Sequence, residues 1–320
     1  MTPWPDRRPR LRGAPGQGVE CGGARTGRPT GVGPGPPVWV VWGGLQAEAV
    51  GAVLTGGTPG GPRTVCLSPS PSMDQYQAER MRRVLLDAAV LLCQASPRGP
   101  FPPWAPDPLD LIGPATVVVR WARVLLTHLH PFYVVPPPHT PTPPMVPYHD
   151  LRTVAIAAGL SPSRVVAPTQ HRIRAIRLAA SWSMALQRTW ERRSGVTALD
   201  DEALWMIRQQ GGRAMFAPDC PSSLTLATML RRPLRACGLT PGLVHPWPES
   251  HGHLTAPLED LVVEALGLAD EPTTWWRLGN SRVPSDAVDA AHLAWYSRHP
   301  GVVGGILARE HARVSLLGLA

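Results

Sequence analysis

The sequence predicts an α/β fold: a mostly parallel sheet of about four strands with flanking helices, Rossmann-like in its alternation, followed by a largely helical C-terminal half. Three observations carry this. Short apolar runs rich in Val, Leu and Trp at residues 37–42, 64–67, 89–94 and 116–121 read as strands buried on both faces. Helices or long crossovers separate them, as parallel pairing requires. From Tyr148 onward the apolar residues recur at helical spacing instead.

The first run is broken by Gly43-Gly44, and residues 45–54 then read as a helix closed by Gly and Pro breakers up to Gly61. After the second run, Ser72 is a candidate cap for a helix over 73–87. That helix sets Met81, Val84, Leu85 and Ala88 at i, i+3, i+4, i+7, one buried face, and leads into the third run. A proline-rich stretch over 136–147 predicts a stiff extended connector. Further helices are expected over 170–193, 199–210, 222–237 and 300–317, the last with Val303, Ile306, Leu307 and Val314 on one face. The domain reading is therefore a tail over 1–36 and one domain over 37–320, divided into an α/β part (37–135), the connector, and a mainly helical part (148–320).

Composition narrows the chemistry. At 320 residues and 43% hydrophobic, the chain can bury a substantial core. All 31 basic residues are Arg, so a lysine Schiff base, a pyridoxal-phosphate anchor and a P-loop lysine are excluded. The net charge of +8 is unevenly placed: residues 1–36 hold six Arg against Asp6 and Glu20, a net of +4 in a Gly/Pro-rich segment too poor in apolar residues to order itself. The remaining 284 residues carry only +4, an ordinary value, and specific nucleic-acid binding is not expected. The five cysteines (21, 66, 93, 220, 237) form neither a CxxC pair nor an even framework, so a reducing cytoplasmic setting without structural metal is expected. Arg120, Arg123, His128 and His130 interrupt the most apolar later stretch, 115–135, which argues against a membrane span there.

Ligand chemistry in open α/β sheets collects outside the carboxyl ends of the strands. There, Gly43-Gly44 would let a phosphate or oxyanion approach backbone amides at a helix start, or would simply make a tight turn. Gln94 ends the third strand, and Thr127-His128-Leu129-His130-Pro131 follows the fourth, so these side chains could converge on the first turn. His130 is a candidate general base or ligand hydrogen-bonder. Tyr148-His149-Asp150-Leu151-Arg152 packs four functional groups into five residues before a helix, with Asp150 also a natural N-cap. A competing pattern lies over 151–170, where Ala155, Gly159 and Val165 occupy helix-turn-helix positions with Arg164 on the second helix. Pro168 would stop that helix early.

Taken in order, the runs VWVVWGGLQAEAVGAVL, RMRRVLLDAAVLLCQ, ATVVVRWARVLLTHLHP and VPYHDLR, with the closing AHLAWYSRHPGVVGGILAREHARVSLLGL, resemble the WcbI-like family of polysaccharide-biosynthesis enzymes. The resemblance spans about Val38 to Leu319. It implies an α/β fold with a first turn similar to that of SGNH hydrolases, binding of coenzyme A or acetyl-CoA as co-substrate, and acetyl transfer to a carbohydrate or polysaccharide precursor. The family turn Gly-Asn-Cys-Gln reads Gly43-Gly44-Leu45-Gln46 here, and Asn-His-Pro-Gly-Asn reads Asp219-Cys220-Pro221-Ser222-Ser223. Leu45 cannot carry an acyl group, so direct transfer is expected. His130 or His149 would deprotonate the acceptor hydroxyl, and Asp150 would orient the imidazole. Gln46 or Gln94 would donate to the oxyanion, and Arg152 would meet a phosphate of coenzyme A. Cys220 stands as a displaced nucleophile if a nearby His lowers its pKa. The alternatives are a degenerate member that binds coenzyme A or a sugar without turnover, and a DNA-binding regulator using 151–170.

Overall fold

Two layers of helix cover a four-stranded parallel sheet whose strands are mainly apolar. The structure, a computed structural model, describes residues 36–44, 46–55, 62–68, 74–95, 107–135, 140–165, 169–196, 199–239 and 252–319. The predicted tail, Leu45 and Ser72 lie outside these residues.

Strand β1 (Val38–Trp42) leads to α1 (Gln46–Thr55), β2 (Arg63–Leu67), α2 (Gln75–Leu86), β3 (Val90–Ala95) and β4 (Val117–Ala122). The sheet order is β2-β1-β3-β4, parallel throughout. Period-two alternation splits β1 between the layers. Trp39 and Val41 pack in the cluster that holds Ala47, Val50 and Val53 of α1, whereas Val40 and Trp42 join Met81 and Leu85 of α2. Helix α2 starts with a capping box: Gln77 N–H donates to Asp74 Oδ1 (2.7 Å) and Asp74 N–H donates to Gln77 Oε1 (3.2 Å).

Beyond β4 come β5 (Tyr133–Val134), its antiparallel partner β6 (His149–Asp150), α3 (Leu151–Ala157), α4 (Pro162–Val165), α5 (Thr169–Arg193) and α6 (Asp201–Gln209). A short ladder β7 (Met215–Ala217) with β8 (Cys220–Pro221) precedes α7 (Ser223–Ala236), whose Ser222 side chain caps it by accepting from Thr225 N–H (3.1 Å). Then follow β9 (Leu254–Thr255), α8 (Asp260–Leu266), β10 (Trp275–Leu278), β11 (Ser281–Pro284), α9 (Ser285–Tyr296), α10 (Pro300–Arg309) and α11 (His311–Leu316).

Three local expectations are corrected. The helix expected over 300–317 breaks at Glu310, giving α10 and α11. The second half also holds an antiparallel sheet, β11-β10-β9, that helical spacing did not anticipate. Its hairpin turns at Gly279-Asn280, with Gly279 at φ +58°, the left-handed backbone a glycine permits. In the helix-turn-helix segment, Ala155 and Val165 are buried and Gly159 takes φ +99°, so the pattern reflects a packed corner. The second helix, α4, is one turn long, too short to lie along a DNA groove.

One buried cluster runs from Trp39 to Leu319 and joins α1, α5, α7 and the last helices. Among the described residues no helix is long and apolar enough to cross a membrane.

Candidate functional site

The strand order reverses direction at β1: the chain leaves it for β2 on one side and returns to β3 on the other. The crevice between the carboxyl ends of β1 and β3 is therefore the topological switch point, where open sheets bind ligands. Gly43 and Gly44 leave β1 at this point, Gln94 lies near the end of β3, and Trp121 of β4 sits opposite Gln94 in register. Space at Gly43 is tight: a Cβ there would meet Gln94 Oε1 at 3.0 Å, Gln94 Cβ at 3.1 Å and Trp121 Cζ2 at 3.1 Å. Gly44 N–H donates to Gln94 Oε1 (2.9 Å), which orients the amide and leaves Nε2 as a buried donor with no partner among the described residues. Trp121 Nε1 is a second buried donor with no partner among the described residues. An unsatisfied buried N–H costs about 1–3 kcal/mol, so two beside one turn call for an acceptor.

Gln46 sits at the start of α1, 2% exposed. Its Nε2 donates to the carbonyls of Val124 (2.8 Å) and Asp219 (2.9 Å), and its Oε1 accepts from Val124 N–H (2.9 Å). Gln46 therefore ties α1 to the loops after β4 and β7, and its amide has no donor left for an oxyanion. Asp219, which that tie fixes, accepts from Tyr148 Oη at Oδ1 (2.5 Å) and from Arg123 Nη2 at Oδ2 (2.8 Å). Tyr148 Oη also lies 3.2 Å from Cys220 Sγ. Burial, then the Asp219 carboxylate, push the Cys220 thiol up to about 11, so at neutral pH it stays protonated. The expected activating histidine is absent from its contacts; Tyr148 and Asp219 take that place.

The Tyr148–Arg152 run divides because a strand sends successive side chains to opposite faces. Tyr148 turns toward Asp219 and stacks on Trp276 (centroids 5.8 Å apart). His149, the next residue, turns the other way, with Nδ1 2.6 Å from Tyr296 Oη on α9 and its ring 6.3 Å from His292. Asp150 does not orient it. The Asp150 carboxylate caps α3 at Arg152 N–H (2.7 Å) and accepts from the Arg152 guanidinium (2.5 Å). Arg152 in turn donates to both Glu259 oxygens (2.8 and 2.5 Å) and lies 4.2 Å over the Phe132 ring. An arginine so occupied is an internal strut rather than a free phosphate ligand.

His130 is 2% exposed, with Nε2 3.1 Å from the Met215 carbonyl. Burial pushes His130 and His149 down to about 4, with His292 and Arg309 adding to the effect on His149. Both are neutral at pH 7, the form a base requires, yet both are sealed from solvent. The structure thus joins Gly43 and Gly44 to Gln94, and Gln46 to the Asp219-Cys220 segment, and gives His130, His149, Asp150 and Arg152 other partners. Sequence reasoning gave no role to Trp121, Arg123 or Asp219, and named Tyr148 only within its run. For Asp219 the signal was its place beside Cys220 in the segment matched to Asn-His-Pro-Gly-Asn. Among the described residues, no group of three His, Cys, Asp or Glu is placed to hold a metal ion.

The family model for polysaccharide biosynthesis enzyme WcbI matches residues 38–242. Among solved structures, one of WcbI, described as a novel polysaccharide biosynthesis enzyme in native form without a disulfide bond between coenzyme A and one of its cysteines, superposes with a TM-score of 0.69. It is 14% identical, and the match covers 89% of this chain and 98% of that one. No curated protein matches the chain.

Proposed function

This chain belongs to the WcbI family of polysaccharide biosynthesis enzymes, and from that premise we propose that the switch-point crevice binds an acyl-CoA and delivers its acyl group to a carbohydrate hydroxyl. The observation that carries the proposal is the pair of buried donors, Gln94 Nε2 and Trp121 Nε1, that have no partner among the described residues, beside a turn where a Cβ at Gly43 would be crowded. A thioester carbonyl is an acceptor of the right kind. In the transition state its oxygen gains charge, so fixed N–H donors bind it more strongly there than in the ground state. Arg123, whose side chain is 37% exposed, stands at the same edge for an anionic portion of coenzyme A.

Transfer is direct in this reading, because the Cys220 thiol is held protonated and makes a poor nucleophile. Tyr148 and Arg123 hold the Asp219 carboxylate, and Gln46 holds the Asp219 backbone, so the edge is positioned before ligand arrives. The base would be His130 or His149, as neutral imidazoles, and either must first be opened to the acceptor.

That burial favours a second reading, in which the crevice binds coenzyme A without turnover. Calorimetric titration of the full chain with coenzyme A and acetyl-CoA, paired with assays of acetyl-CoA hydrolysis and transfer, separates the two. Binding with turnover that is lost in Gln94→Leu supports transfer. Binding alone supports the second reading, and no binding of either compound removes both.

A further inference from the structure

A second concavity lies away from the Gly43 turn, between α5, α6 and the end of α8. It is a cleft of about 1740 Å3, larger than the roughly 300–1,000 Å3 of ordinary small-molecule pockets. Helical spacing builds its walls: Arg188 and Arg192 are one turn apart on α5, and Asp201, Trp205 and Arg208 follow i, i+4, i+7 on α6. Arg188 Nη2 and Asp201 Oδ1 meet at 2.7 Å, joining the two helices.

Three features indicate the ligand. Among the described residues the lining has four arginines and four carboxylates, so the cleft has no net field to select a polyanion. The indole of Trp205, 50% exposed, offers a flat apolar plate in water among those charged groups. His128 also lines the cleft, is 6% exposed, and its Nδ1 has no hydrogen-bond partner among the described residues. A pyranose ring is the complement of this surface. Its C–H face is apolar and packs on an indole, and its ring of hydroxyls both donates and accepts, which carboxylates and guanidinium groups can satisfy side by side.

We propose that this cleft binds a neutral oligosaccharide segment, stacked on Trp205 and hydrogen-bonded by the charged side chains of α5 and α6 and by His128. This deepens the acyl-transfer reading, on which it rests for the role of the sugar as acceptor. The loop from Arg123 to Leu129 begins at the Asp219 cluster and ends in the cleft wall, and the segment from Phe216 to Ser222 lines the cleft at both ends with Asp219 between them. Both halves of the proposed reaction therefore share two short stretches of chain.

The test is binding of maltotetraose, cellotetraose, mannotetraose and chitotetraose to the full chain by calorimetry and ligand-observed NMR, without coenzyme A, with tetragalacturonate as the charged comparator. We expect at least one neutral tetrasaccharide to bind, with affinity falling about tenfold or more in Trp205→Ala, equivalent to about 1.4 kcal/mol, and partly restored in Trp205→Phe. Thermal unfolding confirms that these surface variants fold. Failure of all four neutral sugars, equal binding by Trp205→Ala, or preference for tetragalacturonate overturns the proposal. Because coenzyme A is absent, a negative titration with coenzyme A leaves the sugar result readable, and the reverse holds too.

Discussion

Gly43 and Gly44 are chemically identical neighbours, and the structure requires them to respond oppositely to one methyl group. In Gly43→Ala the new Cβ meets two carbons, Gln94 Cβ and Trp121 Cζ2, each at 3.1 Å. Carbon pairs rest at roughly 3.5–4.0 Å, so the neighbours must retreat by about 0.5 Å. Trp121 is a buried sheet residue with little room to yield, so Gln94 moves, and its 2.9 Å bond to Gly44 N–H goes with it. Overpacking of this kind costs about 1–3 kcal/mol, against about 0.4–1 kcal/mol gained by stiffening the unfolded chain. The net expectation is a loss of about 1–2 kcal/mol and weaker binding of coenzyme A.

In Gly44→Ala the nearest atom to the Cβ is Gln94 Oε1 at 3.7 Å, an ordinary contact, and the N–H that Gln94 accepts is kept. Stability should stay within about 0.5 kcal/mol or rise slightly. Urea midpoints and coenzyme A titrations of the two variants measure the contrast. Equal losses, or a silent Gly43→Ala, would refute the argument that the turn is shaped by Gln94 and Trp121.

Three further outcomes are expected. Folded-state pKa values near 4 for His130 and His149 and near 3 for His128 lie below the ordinary 6.5, so their stabilisation is complete above pH 6.5 and is lost as pH falls toward 4. One such histidine is worth about 3 kcal/mol, and urea midpoints across that window should fall accordingly; a flat profile would contradict neutral burial. Arg152→Ala should cost about 3–5 kcal/mol by leaving Asp150 and Glu259 without their cation. If the variant instead keeps its stability and loses only coenzyme A affinity, Arg152 is a phosphate ligand after all. Cys220, raised to about 11, should react with iodoacetamide at pH 8 much more slowly than in the urea-unfolded chain, as read by mass spectrometry of the labelled peptide.

Much of the first half was legible because its signals are local. The strands of the parallel sheet are short, mainly apolar runs, and α2 shows one buried face within twelve residues. The turn glycines and Gln94 were found by the same logic, since the end of a run marks the sheet edge. The hairpin at Gly279-Asn280 had a local signal, a two-residue turn between short apolar segments, which the surrounding helical spacing masked. Partners far apart in sequence were not legible. Nothing in Tyr148-His149-Asp150 shows that Asp219, 71 residues on, takes the tyrosine while Tyr296, 147 residues on, takes the histidine. Arg152 looked like a free cation because Glu259, 107 residues away, is invisible from its neighbourhood.

Tyr296 against His149 has a counterpart in Arg313, which donates to the Tyr133 carbonyl across 180 residues (3.1 Å), and in Asp289, which accepts from Thr153 (2.9 Å). A ribosome delivers this chain from its N-terminus, so the central ladder of β5 and β6 waits, with its partners missing, while more than a hundred further residues are synthesised. Contacts of such range close late in folding. The carboxyl edge of the sheet is written early in the message, yet the ladder beside it becomes complete only when the last helices have left the exit tunnel. Until α9 and α11 dock, His149 lacks its Tyr296 partner and the Tyr133 carbonyl lacks the Arg313 guanidinium.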